Sequence, residues 1–291
     1  MKVRSFIYII LAGICWGTSG IFVHFLAPMG FSSLQMTAMR GLVAFLCMAI
    51  YALIKNREIF RITQRELILF AGSGLGIFGT ATCYFASMQM TSVSTAVVLM
   101  YTAPVLVMIY SVTFLGEKIT ILKGISVFAM LLGCCLVSGI FGGAEFHAVG
   151  IGIGFLSGIS YSAYNIFTKI EMRRNSHPLS ATLYCFLFMT VLAVTFCNPR
   201  EAVQLIGANP AGSIPLMIGI GVVACVLPYL FYTLALKELP VGTASALGIV
   251  EPMSATIFSV LFLGEQFNLT SVCGIILILG AVLLLSRNCE K

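Results

Sequence analysis

Runs of about 20 uninterrupted apolar residues, recurring along nearly the whole chain, leave this sequence few ways to fold, because that length of helix crosses the hydrocarbon core of a bilayer. Ten such runs are read, at roughly 6–27, 34–54, 67–87, 93–115, 121–140, 149–169, 179–197, 213–236, 242–263 and 269–286. In lipid every backbone polar group must be satisfied within the protein, so a spanning segment is a helix or part of a closed barrel. Barrel strands would alternate in hydropathy over about ten residues, and these runs do not alternate. Only 9% of the residues are charged and mean hydropathy is +1.06. A soluble domain carries about 25% charged residues, so this chain has too little polar surface to cover a water-exposed core. The expected class is an all-α membrane protein with ten transmembrane helices. MKVRSFIYIILAGICWG has a basic start but no small-x-small cleavage site, and is read as an uncleaved first helix.

Lys and Arg positions set the expected orientation. With the N-terminus cytoplasmic, all sixteen Lys and Arg residues fall in cytoplasmic segments except Arg40, within the second run, and Arg200, outside. Both termini are then cytoplasmic. The net charge of +6 is accounted for as an insertion signal and calls for no nucleic-acid partner. The ten cysteines show no C-x-x-C and no Cys/His pair at metal spacing, so they are read as small apolar packing residues.

The chain also repeats itself. PVLVMIYSVTFLGE (104–117) and PMSATIFSVLFLGE (252–265) match at a fixed offset, sharing the proline, Ile109/Ile257, Ser111/Ser259, Val112/Val260 and FLGE. The same offset pairs Tyr84 with Tyr232, and Thr95-Ala96 with Thr243-Ala244. A weaker match aligns GICWGTSGIF (13–22) with GISYSAYNIF (158–167), setting Trp16 against Tyr161 and Gly20 against Asn165. The expected units are 1–142 and 149–291, joined by FGGAEFHA. Each holds five spans, an odd number, so the second enters the membrane inverted. Inverted repeats with interrupted helices at matching positions are a hallmark of secondary transporters, and Pro104 and Pro252 form such a pair.

These residues carry a family resemblance. WGTSGIF, Arg40 early in the second span, the two proline-to-LGE segments and YLFYTLALKELPVGTASALGIVEP together resemble the EamA family of the drug/metabolite transporter superfamily, over essentially the whole chain. The resemblance implies ten helices, an inverted repeat, a central cavity and export of amino acids or other small metabolites from the cell membrane (the inner membrane, in a bacterium).

Glu251 stands out as an acid near the middle of the ninth run. An acidic residue there costs about 2.5–3.5 kcal/mol on insertion scales and is expected to face the bundle interior or a wet cavity. Pro252 lacks an N–H, so the carbonyl of Gly248 loses its helical partner. The first half keeps the proline but has Ala103 in place of the acid. Three roles fit Glu251: binding a cationic substrate group, carrying a coupling proton, or a structural role held by a hydroxyl or by Arg40. Arg40 in turn can snorkel to the interface, meet a substrate carboxylate, or pair with Glu251. Trp16, Tyr161, Asn165, Tyr84, Tyr232 and Tyr101 are expected around the cavity, since buried Tyr and Trp need partners for their polar tips; lipid-facing aromatics are the competing reading. Glu117 and Glu265 follow glycines suited to helix C-terminal caps and are read as structural.

GLGIFG (74–79) imitates a dinucleotide fingerprint but lies inside a span with no preceding strand. Gly72 and Gly76, and Gly150, Gly154 and Gly158, form small-xxx-small rows suited to close helix packing. NLT (268–270) lies too near the membrane to read as a glycosylation site. No nucleotide-binding, metalloprotease or nucleophile–base motif occurs, so the expectation is a non-enzymatic protein with no cofactor and no metal. It works on a small solute, with energy from a coupling proton or another ion, or by passive flux. A multidrug exporter on the same fold, and a non-transport membrane protein such as a lipid flippase subunit or scaffold, are the alternatives. Oligomeric state has no signal in the sequence.

Overall fold

The structure, a computed structural model, describes residues 2–91, 96, 99–116, 120–138, 147–264 and 269–289. Among these the regular structure is all helical. Thr95, Glu117, Lys118, Glu265, Asn268, Lys291 and most of the 141–148 connection lie outside the described residues.

Local chemistry sets the helix limits. Helix α1 (Lys2–Gly17) continues after a break at Thr18 as α2 (Ser19–Leu26). Helix α3 (Ser33–Lys55) opens on a capping box: Gln35 N donates to Ser32 Oγ (3.3 Å), and Ser32 N donates to Gln35 Oε1 (2.8 Å). Thr63 and Glu66 do the same for α4 (Gln64–Met90). Two of the four orphan N–H groups that every helix start leaves are thereby satisfied. Then come α5 (Ala103–Leu115), α6 (Ile121–Ser138), α7 (Ala148–Arg173), α8 (Pro178–Phe196) and the short α9 (Pro199–Ala208). Helix α10 (Pro210–Gly221) runs through a π turn at Val222–Val226 into α11 (Leu227–Leu236). Helices α12 (Val241–Leu247), α13 (Val250–Leu263) and α14 (Leu269–Cys289) complete the described chain. Gly116 and Gly264, at matching positions of the repeated segment, end α5 and α13 with φ of +67° and +72°. That left-handed conformation is one glycine adopts without a Cβ penalty.

Six helical runs are long and apolar enough to cross a membrane: Val3–Met29, Ser33–Lys55, Gln64–Ser87, Pro178–Phe196, Pro210–Leu236 and Val241–Leu263. Shorter apolar helices occur at Ala103–Leu115, Ile121–Leu136 and Val272–Leu284. Large apolar side chains such as Ile68, Phe114, Phe128 and Leu261 are exposed on the outside, as lipid contact requires. The protein is an all-helical membrane protein.

Small residues bring the helices together. A Cβ on Gly76 of α4 would lie 2.8 Å from the backbone N of Tyr164 in α7, and one on Gly154 of α7 would lie 2.6 Å from Ser87 Oγ in α4. The glycine rows of the sequence therefore form the α4–α7 contact, where Ser87 Oγ also donates to Gly150 O (2.9 Å). Helix α1 packs on α11 and α13, α3 on α8 and α10, α4 also on α8, α5 on α7 and α12, and α6 on α14.

Cross-bonds define two ends of the bundle. At one, Ser5 Oγ donates to Glu238 Oε2 (2.7 Å), Lys169 Nζ to Leu236 O and Leu239 O, Arg173 Nη2 to Leu115 O, and Ser180 Oγ to Ile59 O. This end is called the basic face. At the far face, Leu26, Phe31, Met36, Ala202 and Ile220 form a separate apolar cluster, and Gln35 Nε2 donates to Glu201 Oε2 (3.1 Å).

Ser32→Ala removes one half of the α3 capping box. The expected cost is about 1 kcal/mol, which lowers the melting temperature of the purified protein by roughly 2–4 °C. A thermal unfolding scan in detergent checks this.

Candidate functional site: a cavity around Glu251

The ninth apolar run is not one helix. It breaks at Gly248–Ile249, between α12 and α13, and Pro252 sits in the first turn of α13. A proline there has no N–H to offer back to Gly248. The Gly248 carbonyl accepts instead from Glu251 N (2.9 Å) and lies 3.1 Å from Tyr101 Oη. The same hydroxyl lies 2.7 Å from Glu251 Oε2. One phenolic proton thus faces two acceptors, and Tyr101 fixes both the broken helix end and the carboxyl group. Gly248 sits in a close-packed place: a Cβ there would meet Ser245 O at 3.1 Å and Tyr161 Oη at 3.4 Å.

Glu251 opens onto a cavity of about 210 Å³. Its wall is largely aromatic, with Trp16, Tyr84, Phe85, Tyr161 and Tyr229, and it reaches past Gly20 and Val23 to Arg40 and Ile220 on the far-face side. Arg40 is part-buried, its Nε has no partner, and its guanidinium carbon lies 6.0 Å from the centre of the Phe85 ring. Trp16 Nε1 is likewise buried and without a partner. Arg40 and Glu251 share the cavity wall, and no ion pair within 4.0 Å joins them. The cavity therefore has an acid and a cation in its wall, and the buried Arg40 Nε and Trp16 Nε1 beside it carry no partner. In a site of low dielectric, unmet polar groups are costly, so a ligand that meets them gains correspondingly.

Toward the basic face the cavity is closed by packed rings. Trp16 lies edge-on to Tyr229 with centroids 5.2 Å apart, and Tyr164 contacts Tyr161, Tyr229 and Tyr232. Asn165 locks this layer: its Oδ1 accepts from Tyr232 Oη, and its Nδ2 donates to Tyr161 O (2.8 Å). Asn165, Tyr101 and Tyr232 are buried to 1% exposure or less.

Two matches to a single family cover this chain almost entirely. The profile of the EamA-like transporter family matches residues 3–139 and again 148–287. The chain belongs to the EamA-like transporter family. This EamA family, part of the drug/metabolite transporter superfamily, makes the protein a membrane transporter. An uncharacterized transporter of Archaeoglobus fulgidus is 28% identical over 282 residues, covering 96% of this chain and 95% of the relative. The uncharacterized transporter YwfM of Bacillus subtilis is 21% identical (98% and 94% covered), and the uncharacterized inner membrane transporter YicL of Salmonella typhimurium is 22% identical (99% and 97%). A solved crystal structure superposes over the whole of both chains with a TM-score of 0.79 at 16% identity, a likeness of fold alone.

Of the candidate site residues singled out in the sequence, the structure brings Glu251, Arg40, Trp16, Tyr84 and Tyr161 to the cavity wall. Sequence reasoning puts Tyr101, Asn165 and Tyr232 around the cavity too; the structure sets them beside and beneath it, because their polar tips are taken up by Glu251 and by one another. Pro104 and Pro252 are buried backbone elements at the starts of α5 and α13. Missed from the sequence were Tyr229, one turn before Tyr232 on the same helix face, and Gly13 and Gly17. A Cβ on Gly17 would meet Ser254 Cβ at 2.7 Å and Glu251 O at 3.1 Å, so this glycine lets α1 reach the Glu251 backbone. Among the described residues no group of three His, Cys, Asp or Glu side chains is placed to hold a metal ion.

Proposed function

We propose that this transporter exports small zwitterionic solutes, amino acids or related metabolites, by alternating access around the Glu251 cavity. The observation that carries the reading is the placement of Glu251, Arg40 and Trp16 around one cavity of about 210 Å³. A solute amine meets Glu251, and its carboxylate meets Arg40. The aromatic wall takes an apolar side chain. A lipophilic cation, by contrast, would leave Arg40 desolvated and uncompensated, which is unfavourable.

Helix packing supports the inverted-repeat component of this reading. Exchanging α1 with α7, α4 with α10–α11, and α5 with α13 turns the α1–α11 contact into α7–α4, and α1–α13 into α7–α5; α3–α8 and α6–α14 map onto themselves. Two five-span units, 1–142 and 149–291, that rock against each other about this pseudo-symmetry would close the far face and open the basic one. Basic residues mark the cytoplasmic side in membrane proteins, which supports cytoplasmic termini and a cavity here reached from outside.

Counterflow into proteoliposomes, with amino acids, nucleobases, amines and lipophilic drugs in one panel, tests the substrate class. Saturable exchange of amino acids is the expected result. Exchange of lipophilic cations with none of amino acids would make this a drug exporter, and no saturable flux of any solute would contradict the transport mechanism proposed.

A further inference from the structure

Matching residues of the two repeats stand in opposite conditions at the two faces. At the closed basic face, Lys169 of α7 is 6% exposed, and its Nζ donates to Leu236 O (2.9 Å) and Leu239 O (2.5 Å), at and just past the C-terminal end of α11. The last four carbonyls of a helix lack partners within it. A lysine placed there satisfies such carbonyls and meets the negative end of the helix dipole. One buried cation thus ties α7 to the turn between α11 and α12.

The alignment of 13–22 with 158–167, carried two residues further, sets His24 of α2 against Lys169. The offset that pairs Tyr84 with Tyr232 sets Met88 and Thr91, at the C-terminal end of α4, against Leu236 and Leu239. His24 is exposed, and its ring nitrogens have no hydrogen-bond partner among the described residues. What separates it from α4 is the solute cavity, lined by Gly20 and Val23 of α2 on one side and by Thr80, Ala81 and Tyr84 of α4 on the other. A second pair of repeat mates shows the same contrast. Asn165 of α7 is bonded to Tyr232 of α11, whereas their mates Gly20 and Tyr84 face each other across open space.

We infer that Lys169 and His24 are the two latches of the transport cycle. Lys169 holds the basic face shut in this arrangement, and His24 takes the equivalent place on the C-terminal end of α4 when the far face shuts. Closing the far face collapses the cavity between α2 and α4 and carries His24 to those carbonyls. Opening the basic face draws Lys169 off Leu236 and Leu239. The latches are unequal: lysine brings a full charge and three donors, whereas histidine brings one donor, or two when protonated. That inequality favours the arrangement with the basic face closed. Neither residue lines the cavity, so both act by positioning the helices around it. The inference rests on the alternating-access reading above and goes past it, to the side chains that set which face is open.

The test is backbone hydrogen exchange on the purified full-length protein, read at the α11–α12 turn and at α2. His24→Lys builds the stronger latch at an exposed position, where the fold should tolerate it. The substitution lies at the far face, yet exchange at the α11–α12 turn should rise about tenfold or more, because charge-assisted hydrogen bonds shift a two-state equilibrium by that order. Lys169→Met should speed exchange at the same turn by a similar factor without speeding it at α2, and the double variant should slow α2 below wild type. Loosened packing alone would speed both ends in Lys169→Met and leave the turn unmoved in His24→Lys; either result overturns the inference. If Lys169→Met does not fold, His24→Lys decides alone. No solute enters this readout. Absent amino-acid counterflow would remove the substrate proposed above and leave the latches standing, while unmoved exchange would remove the latches and leave counterflow standing.

Discussion

Glu251→Gln yields a folded, normally inserted protein whose solute exchange has nearly vanished. Glutamine preserves the volume and an oxygen for Tyr101 Oη, which lies 2.7 Å from Glu251 Oε2 and 3.1 Å from Gly248 O, so the broken end between α12 and α13 keeps its partner. What disappears is the negative charge. A hydrogen bond to a charged group contributes about 1.5–3 kcal/mol, so apparent affinity for an amine-bearing solute should fall about 10- to 100-fold. Glu251→Ala should do worse, because it also strips Tyr101 of one of its two acceptors. The assay is counterflow at several solute concentrations, with expression and monodispersity recorded for each variant. Near-normal flux in a well-expressed Glu251→Gln would leave the carboxyl group only a structural role.

Two glycines three residues apart should give opposite outcomes. A Cβ on Gly17 would sit 2.7 Å from Ser254 Cβ and 2.9 Å from Ala255 N, whereas a Cβ on Gly20 would meet nothing within 4 Å. Ser254 and Ala255 belong to α13, whose backbone cannot withdraw without dragging Glu251 with it. Gly17→Leu therefore overpacks the α1–α13 contact at a cost of about 1–3 kcal/mol or more, and the variant should aggregate or fail to accumulate. Gly20 borders the cavity, so Gly20→Phe has space to enter and should fold with wild-type thermal stability. Its ring then occupies solute volume and abolishes exchange. Size-exclusion profiles separate the first effect, and flux measured on the folded Gly20 variant separates the second. A stable, active Gly17→Leu would show that α1 does not press on α13 as described.

How far the sequence announced this arrangement depends on where each signal is encoded. An acid beside a proline in an apolar run is a local anomaly, and Glu251 and Pro252 were readable because no lipid-facing helix tolerates the pair cheaply. The glycines ending the two repeated segments were equally local, since left-handed φ at Gly116 and Gly264 follows from residue type and position. The glycine rows of α4 and α7 predicted close packing but could not name each other as partners. Gly13 and Gly17 form a similar row, and only the approach of α13 shows what they accommodate. Asn165 illustrates a different limit: its chemistry suits a cavity wall or an internal lock equally, and the position of Tyr232 decides. Lys169 was hidden for the opposite reason. It opens KIEMRRN, a charged helix end that reads as an interface, and its burial comes from α11 and the turn that follows it, supplied by a distant part of the chain.

The central claim is that one solute spans the cavity with its amine on Glu251 and its carboxylate on Arg40. Counterflow comparing a transported amino acid with its N-acetyl and its methyl-ester derivatives tests this most directly, since each derivative removes one charge and changes little else. The free amino acid should exchange, and both derivatives should fail to compete at concentrations that saturate it. Undiminished competition by either derivative would contradict the account, because one of the two charged residues would then have no solute charge to hold.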